Sequence, residues 1–356
     1  MVSSSRIMPH VQLLPTTDRL LRRIDAMAGQ PVAMLVDLVA DVFVTGTPKR
    51  ISREAPVLIL SYQGEKLIPG GGANAVANVA ALGGRPLPLG VVGDDPHGRG
   101  LLADLEARGV TTEGIRVRPG YRTPTKVRIL GGGKHSIKQQ IVRYDIEETL
   151  MLERGDREHF VALLKRWSGE ARVAILSDYG YGAVEPGMLL KARDALGEKA
   201  TILADSRYRL GDFDGIDGAT PNEEEAEALL GSAIDDHPSR LERAGMSLRE
   251  RLGVRFLLIT RGSRGMSLFR PETSAHIPVS GTDQVADVTG AGDTVIGTFA
   301  LALAAGADPL EAALLADYAG GVVVMKMGTA TCSPEELRRA VEGDPRPLEE
   351  MRWGWS

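Results

Sequence analysis

Apolar and polar positions alternate along the chain with two periods, and together they predict an α/β fold. Short apolar runs of strand length recur, each followed by a stretch with apolar residues at helical spacing; the runs are LPLGVVG, VAILSDYG, ATILADSR, GATPN and FLLITRG. This alternation predicts a parallel sheet flanked by helices. Most of the runs end in Gly, Asp, Ser, Asn or Thr, and ligands of open parallel sheets bind beyond the carboxyl ends of the strands. We therefore expect a site built from those strand ends.

Two segments interrupt the alternation and predict a second, smaller sheet. The segments RISREAPVLILSYQGEKLIPGG and TPTKVRILGGGKHSIKQQIVRYD are typical of antiparallel strands. In the second, a hairpin turn is predicted at the glycines of residues 131–133. We expect the two segments, taken as residues 46–68 and 121–146, to form a small β-sheet lid over the mouth of the site.

The two ends of the chain are separated from the main domain in this interpretation. Residues 1–28 contain TTDRLLRRIDAM, in which apolar residues have helical spacing and arginines lie on the other face. We interpret this segment as an N-terminal extension with a packing helix, the alternative being an arm that binds a partner. Residues 29–340 form the predicted main domain, and residues 341–356 form a C-terminal tail.

The first apolar segment, PVAMLVDLVADVFV, contains two carboxylates, Asp37 and Asp41. Both are unexpected there, because a buried carboxylate is costly unless it is paired or hydrogen-bonded. We place Asp41 at the end of the first strand, where it could accept two hydrogen bonds from the hydroxyls of a sugar.

Composition narrows the class of protein. Hydrophobic residues make up 43% and charged residues 25% of the 356 residues, and the net charge of −5 offers no broad attraction to nucleic acid or to an anionic membrane. Cys332 is the only cysteine, so an intramolecular disulfide is excluded, and the six histidines lack the spacing of a zinc site. No segment has the apolar length of a signal peptide core or of a spanning helix. We expect a soluble, cytoplasmic protein.

The segment DVTGAGDTVIG places Asp293 directly after Gly290, Ala291 and Gly292 and at the start of an apolar helical run. The glycines allow a tight turn, and the first N–H groups of a helix bind anions. Phosphoryl transfer needs such donors, together with one carboxylate that deprotonates the attacking hydroxyl. The alternative is that Asp293 only stabilises the helix dipole.

Two further segments suit a nucleotide. In ITRGSRGMSLF, a strand end is followed by a turn whose hydroxyls, guanidinium groups and amides could bind phosphate, although a plain hairpin is the alternative; these residues are Thr260, Arg261, Gly262, Ser263, Arg264 and Gly265. In TPNEEEAEALLG, Asn222 ends a strand and Glu225 lies in the first helical turn. A carboxylate at that position could hold a hydrated Mg²⁺.

The segment PGGGANAVANVAALGG matches a dinucleotide-binding pattern at Gly70, Gly72 and Ala75, but the preceding SYQGEKLIP is a poor strand for such a unit. Asn74 and Asn78 lie one helical turn apart, so at least one of them could face a polar ligand at the helix start. Capping or packing is the alternative for Asn78.

Taken together, PGGGANAVAN, TPNEEE, TRGSRG and DVTGAGDT resemble the ribokinase or PfkB family of carbohydrate kinases, over about residues 30–340. Within that family the sequence looks closest to the D-glycero-β-D-manno-heptose-7-phosphate kinases. The resemblance implies a three-layer fold with a mostly parallel central sheet, flanking helices and a β-sheet lid that often serves in dimerisation. It also implies ATP as co-substrate, Mg²⁺, and in many members a monovalent cation such as K⁺.

The resemblance assigns roles to individual positions. Asp293 would be the catalytic base, with Gly290, Ala291 and Gly292 as the anion hole. ATP and Mg²⁺ would be served by Asn222, Glu225, Gly328 and the turn from Thr260 to Gly265. The sugar would be held by Asp41, Gly70, Gly71 and Asn74, and the monovalent cation by Asp287 and Thr289.

The sequence departs from the close heptose-phosphate kinases at several positions. Those enzymes have lysine where this chain has Tyr181, and Asp-Pro-Lys where it has Asp205, Ser206 and Arg207. Asp317 replaces an asparagine that is common near the adenine. An acceptor phosphate would be met by candidate cations on the lid and at one strand end, namely Lys126, Arg128, Arg143 and Arg207.

Three hypotheses follow. The first is an ATP-dependent kinase for a sugar or sugar phosphate, acting as a homodimer joined through the lid and without a nucleic-acid or membrane partner. The second is a sugar-sensing protein that keeps the fold without turnover. The third is a nicotinamide-dependent oxidoreductase that uses the glycines of residues 70–75, and it leaves GAGD and TRGSRG unexplained.

Overall fold

A mostly parallel ten-stranded sheet forms the centre of the molecule, and a four-stranded sheet lies apart from it. The computed structural model describes residues 14–133, 138–234, 237–281 and 286–355. The strands of both sheets, in chain order, are β1 (Pro31–Val36), β2 (Leu38–Ile51), β3 (Leu58–Gly71), β4 (Arg85–Gly93), β5 (Ile115–Arg118), β6 (Thr125–Gly131), β7 (Gln139–Ile146), β8 (Val173–Asp178), β9 (Thr201–Ser206), β10 (Gly218–Ala219), β11 (Phe256–Thr260), β12 (Met266–Arg270), β13 (Thr273–Ile277) and β14 (Arg352–Trp355).

The large sheet has the order β14-β13-β12-β11-β10-β9-β8-β1-β4-β5. Neighbouring strands pair in parallel from β5 at one edge through β4, β1, β8, β9 and β10 to β11, whereas β12, β13 and β14 pair antiparallel at the other edge. The helices are α1 (Thr17–Ala26), α2 (Gly72–Ala81), α3 (Pro96–Ala107), α4 (Arg154–Trp167), α5 (Pro186–Leu196), α6 (Glu223–Leu230), α7 (Pro238–Arg251), α8 (Ala291–Ala304), α9 (Pro309–Val323), α10 (Pro334–Gly343) and α11 (Arg346–Glu349).

Helices cover both faces of the large sheet, so the core is divided in two. One apolar cluster joins the sheet to α1, α2, α3, α8, α9 and α10, and the other joins it to α4, α5, α6 and α7. Strand residues alternate between the clusters, as in β1, where Met34 faces the first cluster and Leu35 the second. This arrangement confirms the predicted three-layer α/β fold.

The small sheet has the order β3-β2-β6-β7 and is the predicted lid. Strands β2 and β3 pair antiparallel, as do β6 and β7, while β2 and β6 pair in parallel. Residues 131–133 lie at the start of the predicted hairpin turn, whose next four residues are outside the described part of the chain.

The first apolar segment proves to be two strands in different sheets. Strand β1 ends at Val36 and β2 begins at Leu38, so Asp41 lies in the lid and not at the end of the first core strand, which corrects the prediction. Asp37 lies at the break, where its carboxylate accepts N–H groups from Tyr179, Tyr181 and Ala183 at 2.8–2.9 Å. The sequence did not reveal this junction, because apolar residues continue on both sides of Asp37.

Both ends of the chain pack on the main domain. Leu20 and Ile24 of α1 are buried in the first core cluster, so this helix packs as the amphipathic pattern indicated. The predicted C-terminal tail contains α11 and β14, and β14 forms the edge of the large sheet by pairing with β13. Four residues of alternating pattern are too few to be recognised as a strand from sequence. Among the described residues, no helix has the length and apolarity needed to cross a membrane.

Candidate active site

A cavity of about 430 Å³ opens at the carboxyl ends of the parallel strands, between the large sheet and the lid. Its walls come from the ends of β8, β9, β10 and β11, the start of α8, and strands β2, β6 and β7 of the lid. The lining residues are Asp41, Gly71, Lys126, Arg128, Arg143, Asp178, Tyr179, Asp205, Arg207, Thr220, Asn222, Glu225, Thr260, Val288, Thr289, Gly290, Gly292, Asp293 and Thr329. This is the place that the strand endings predicted.

Asp293 lies buried in the first turn of α8, with only 2% of its surface exposed. Both of its carboxylate oxygens accept hydrogen bonds. The Tyr179 hydroxyl donates to Oδ1 at 2.5 Å, and the Asn74 amide donates to Oδ2 at 3.1 Å. Asn74 is itself held by α2, because Asn78 donates to its side-chain oxygen at 3.2 Å. The carboxylate is therefore fixed in one plane.

Burial raises the pKa of Asp293 to about 6, while the hydrogen bonds from Tyr179 and Asn74 act in the opposite direction. A carboxyl with this pKa is ionised at neutral pH, yet it is more basic than an exposed aspartate. Because a general base works best when its pKa lies close to the operating pH, Asp293 is suited to accept a proton from a hydroxyl.

Gly290 is the N-cap residue of α8 and lies in the left-handed region, with φ of 78°. A Cβ at this position would lie 2.4 Å from Nδ2 of Asn74, so the close approach of the two helices requires glycine. The Thr294 N–H donates to the Gly290 carbonyl at 3.1 Å, and the Ala291 N–H is used in a turn with Val288. The N–H groups of Gly292 and Asp293 precede the first intrahelical bond, so they are the donors that the helix start offers to an anion.

Asp41 is buried in the lid and forms an ion pair with Arg128. Burial raises the pKa of Asp41, and the neighbouring Arg128 guanidinium opposes that rise. Gly70 lies directly against this carboxylate, since a Cβ there would be 2.6 Å from Oδ2 of Asp41. Two of the residues predicted to hold the sugar, Asp41 and Gly70, are thus in contact, and the pairing with Arg128 was not anticipated.

Four cations line the cavity, but two of them are already paired with carboxylates. Arg128 is bound to Asp41, and Arg143 is bound to Asp145. The other two, Lys126 and Arg207, lie 5.4 and 5.9 Å from the centre of the Tyr179 ring. Within the described residues neither has a carboxylate partner. Burial and the nearby Arg207 charge lower the pKa of Lys126, as expected where two cations lie close together without a bound anion.

A second cavity, of about 320 Å³, adjoins the first at the start of α8. The two share Thr260, Val288 and Gly292. The predicted nucleotide residues Gly262, Ser263 and Gly265 line the second cavity, as do Ala291, Met266, Val279, Asp317, Val295, Gly320, Gly321 and Val324. The walls of the second cavity are mostly apolar, and the shared residues place the two cavities side by side at the start of α8.

Some predicted nucleotide residues have other contacts. Arg261 and Arg264 form ion pairs with Glu223 at the acidic start of α6, and neither of them is among the residues that line the two cavities. A contact of Arg261 with a nucleotide phosphate stays a prediction. Gly328 also lies outside both cavities: its N–H donates to Asp287 at 3.0 Å.

Asn222 and Glu225 line the first cavity, and they also cap α6 reciprocally. The Glu225 N–H donates to Asn222 at 2.8 Å, and the Asn222 N–H donates to Glu225 at 2.9 Å. Burial raises the pKa of Glu225. Burial also raises the pKa of Asp205 well above its usual value, and the Glu225 charge adds to that effect. Asp205 and Glu225 are two carboxylates with raised pKa values on one wall of the cavity, and a hydrated divalent cation fits beside them. No cluster of three metal ligands occurs in the described part of the chain.

Asp287 and Thr289 lie in the loop just before α8. The Asp287 carboxylate accepts N–H groups from Thr289 at 2.9 Å and Gly328 at 3.0 Å. Burial raises the pKa of Asp287, but the hydrogen bonds outweigh it and the pKa is lowered overall. Asp287 therefore stays ionised and orders the loop that precedes Gly290.

The sequence analysis did not identify Tyr179 as part of the site, and it did not consider the Asp205 carboxylate as a site group. Tyr179 follows the strand-ending Asp178 in SDYG, so the strand-end rule pointed to its neighbourhood but not to its role.

The structure also shows where the glycines of the dinucleotide-binding pattern at residues 70–75 lie. Gly70 lies within β3, an antiparallel lid strand, and Gly72 begins α2, so the glycines do not follow the first strand of a βαβ unit and the geometry that the pattern needs is absent at this segment.

Comparison with known sequences agrees with this geometry. The chain matches the pfkB family of carbohydrate kinases over residues 34–163 and 190–336. The bifunctional protein HldE of Mesorhizobium japonicum is 38% identical over 331 residues, covering 92% of this chain and 65% of that protein. The HldE of Pelobacter propionicus is 39% identical over 310 residues, covering 86% of this chain and 62% of that protein. This chain thus spans less than two thirds of the length of these relatives.

Solved structures show the same fold. Phosphofructokinase-2 from Escherichia coli, in complex with substrates and products, superimposes with a TM-score of 0.71 at 17% identity, covering 88% of this chain and 99% of that one. The ribokinase of Arabidopsis thaliana, complexed with ribose and ATP, gives a TM-score of 0.66 at 21% identity, covering 90% and 99%. At such identities the likeness is one of fold.

Proposed function

The chain belongs to the pfkB family of carbohydrate kinases and is a sugar kinase, and from this premise we propose that it phosphorylates a sugar that already carries a phosphate. The proposed acceptor is heptose 7-phosphate, and the product is heptose 1,7-bisphosphate. The motif resemblance names this acceptor, and the similarity to HldE proteins supports it. The observation that carries the proposal is the buried Asp293 at a helix start between two cavities.

The proposed reaction transfers the γ-phosphoryl group of ATP to the acceptor hydroxyl. The hydroxyl oxygen attacks phosphorus, its proton passes to Asp293, and the bond from phosphorus to the oxygen of ADP breaks with its electron pair on ADP. The N–H groups of Gly292 and Asp293 bind the charge on the transferred group. Because Asp293 is held by Tyr179 and Asn74, the base is already oriented when the acceptor arrives.

Asp205 and Glu225 would hold a hydrated Mg²⁺ on the wall of the first cavity. When bound, the ion neutralises phosphate charge. Asp287 and Thr289 remain the proposed neighbours of a monovalent cation such as K⁺. Thr260, Gly262, Ser263 and Gly265 would contact the nucleotide.

The acceptor phosphate is proposed to bind Lys126 and Arg207. These are the two cavity cations without a carboxylate partner among the described residues, and a phosphate would bring them the opposite charge. Arg207 would take the role of the lysine that close heptose-phosphate kinases have at this strand end. Tyr181, which stands where those enzymes have another lysine, donates instead to Glu147 at 3.1 Å.

Turnover tests the proposal. The purified protein is assayed for ATP consumption with Mg²⁺ against sugars and sugar phosphates that include heptose 7-phosphate, ribose and fructose 6-phosphate. We expect the highest kcat/KM with heptose 7-phosphate. Turnover only with an unphosphorylated sugar would remove the acceptor assignment, and ATP binding without turnover on any acceptor would favour the sugar-sensing hypothesis.

We also propose that the protein is a homodimer joined through the lid. The lid strands and their connections expose apolar side chains, namely Ile51, Val57, Leu58, Tyr62, Ile141, Val142 and Tyr144. Strand pairing places Val142 and Tyr144 with Ile129 and Val127 on one face, opposite the face of Lys126 and Arg128 that lines the cavity. A second copy of the lid would cover such a surface.

The double substitution Tyr62→Glu and Val142→Glu is therefore expected to give monomers. Size-exclusion chromatography with light scattering should report twice the 38.1 kDa chain mass for the wild type and a single chain mass for this variant. The matched control is Leu190→Glu, because Leu190 is an equally exposed apolar residue on α5, far from the lid in sequence. A wild type that runs as a monomer, or a control that also dissociates, would contradict the proposed interface.

A further inference from the structure

Tyr179 connects three parts of the site that are otherwise separate. Its hydroxyl donates to Oδ1 of Asp293 at 2.5 Å. Its ring lies beside two cavity cations, 5.4 Å from Nζ of Lys126 and 5.9 Å from the guanidinium carbon of Arg207. The side chain thus contacts the base at one end and the proposed phosphate-binding cations along its ring.

The main chain of Tyr179 is also held. The Asp37 carboxylate accepts the N–H groups of Tyr179, Tyr181 and Ala183, and it lies at the junction where β1 ends and the lid strand β2 begins. The Gly180 N–H donates to Asp178 at 3.0 Å. A loop with this many anchored amides fixes where the phenol points, so the contact with Asp293 is a built feature of the site.

We propose that Tyr179 is the positioning residue of the phosphoryl-transfer step: its hydroxyl holds the Asp293 carboxylate in the plane and the ionised form that receive the proton of the acceptor hydroxyl. The inference rests on the proposed function and adds a residue to it. Tyr179 does not exchange a proton with the substrate, and its hydroxyl stays bound to Oδ1 through the reaction.

Hydrogen-bond capacity supports this role. Each carboxylate oxygen can accept two hydrogen bonds, and Asp293 receives one on each oxygen, from Tyr179 and from Asn74. One position per oxygen is left for the acceptor hydroxyl. Since both donors belong to fixed elements, they orient the carboxylate without blocking it, and hydrogen bonds to the charged form favour ionisation of a buried acid.

The charged groups around Asp293 set the electrostatic background. Asp41 and Lys126 face it from the lid, Asp205 faces it from β9, and Arg207 lies beyond the Tyr179 ring. Asp41 raises the pKa of Asp293 and Lys126 lowers it, but burial is the largest cause of its rise to about 6. Within this background Tyr179 is the main influence that lowers the pKa of the base.

The test is Tyr179→Phe, which removes the hydroxyl and keeps the ring beside the cations. With heptose 7-phosphate and ATP, we expect kcat to fall by about ten- to a hundredfold, because a hydrogen bond to a charged group is lost. The KM for heptose 7-phosphate should change little. The acid limb of the kcat/KM profile should move to higher pH by about one unit, since the base loses a donor that favours its ionised form.

Tyr181→Phe is the matched control, because its hydroxyl contacts Glu147 and not Asp293. It should leave the acid limb in place, and thermal unfolding of both variants reports whether the fold is kept. An unchanged acid limb in Tyr179→Phe, or a kcat equal to that of the wild type, would overturn the positioning role. Failure of the proposed function itself looks different, because the wild type would then show no turnover with heptose 7-phosphate.

Discussion

Replacing Asp293 with asparagine is expected to lower kcat by about a thousandfold or more, while the KM for ATP stays near the wild-type value. Asparagine has the shape of aspartate and can still accept the Tyr179 hydroxyl, but its amide cannot take the proton of the acceptor hydroxyl. Steady-state kinetics with heptose 7-phosphate and ATP measure the effect. A variant that keeps more than about a tenth of the wild-type kcat would remove Asp293 from the role of general base.

Stability separates this chemical effect from a structural one. Burial raises the folded-state pKa of Asp293 from 3.8 to about 6. An acid whose pKa is raised on folding is a cost to stability, and that cost is complete above the folded pKa. The neutral asparagine avoids this cost, which offsets the loss of the Asn74 hydrogen bond that its amide nitrogen cannot accept, so at pH 8 the variant should unfold near the wild-type temperature. Lost activity with lost stability would point to misfolding.

The proposed phosphate-binding cations, Lys126 and Arg207, are expected to give the second large effect. Lys126→Met and Arg207→Met should each raise the KM for heptose 7-phosphate by about ten- to a hundredfold, because each removes a charged hydrogen bond to the acceptor phosphate. Arg207→Lys should fall between Arg207→Met and the wild type, since it keeps the charge but not the planar donor pair. Initial rates over a range of acceptor concentrations give these values.

The matched control for the cations is Arg143→Met. Arg143 lines the same cavity but is already bound to Asp145, so its loss should affect the acceptor KM less than the loss of Lys126 or Arg207. The kcat/KM for an unphosphorylated sugar should not fall in any of the three methionine variants. Equal losses on phosphorylated and unphosphorylated acceptors would contradict a phosphate subsite at this position.

The fold could be predicted from the sequence because its signals are local. Apolar runs of strand length occur in order along the chain, and they correspond to β4, β8, β9 and β11. The predicted helices follow β4 and β8, but β9 and β11 are each followed by only a short 3-10 turn before the next strand, so the helical prediction was wrong there. The lid was predicted from the two interruptions in that pattern. The break between β1 and β2 could not be predicted, because apolar residues continue on both sides of Asp37 and the hydrogen-bond partners of Asp37 lie more than 140 positions away.

In the site, too, local features could be predicted from the sequence and long-range contacts could not. The position of Asp293 at a helix start follows from the glycines before it, and so it could be read from adjacent residues. The partners of each charged group could not, because they come from distant elements. Arg128 with Asp41, Arg261 with Glu223, and Tyr179 with Asp293 are all long-range pairs. Which cations remain available for a phosphate is decided by such pairs.

The most direct test of the account is the identity of the phosphorylated product. The wild type is incubated with ATP, Mg²⁺ and heptose 7-phosphate, and the products are followed by phosphorus NMR beside an Asp293→Asn sample. The account predicts a second sugar phosphate signal, from a phosphate on the anomeric oxygen, in the wild type and none in the variant. A wild-type spectrum in which ATP and heptose 7-phosphate remain unchanged, or an equal second signal in the variant, would contradict it.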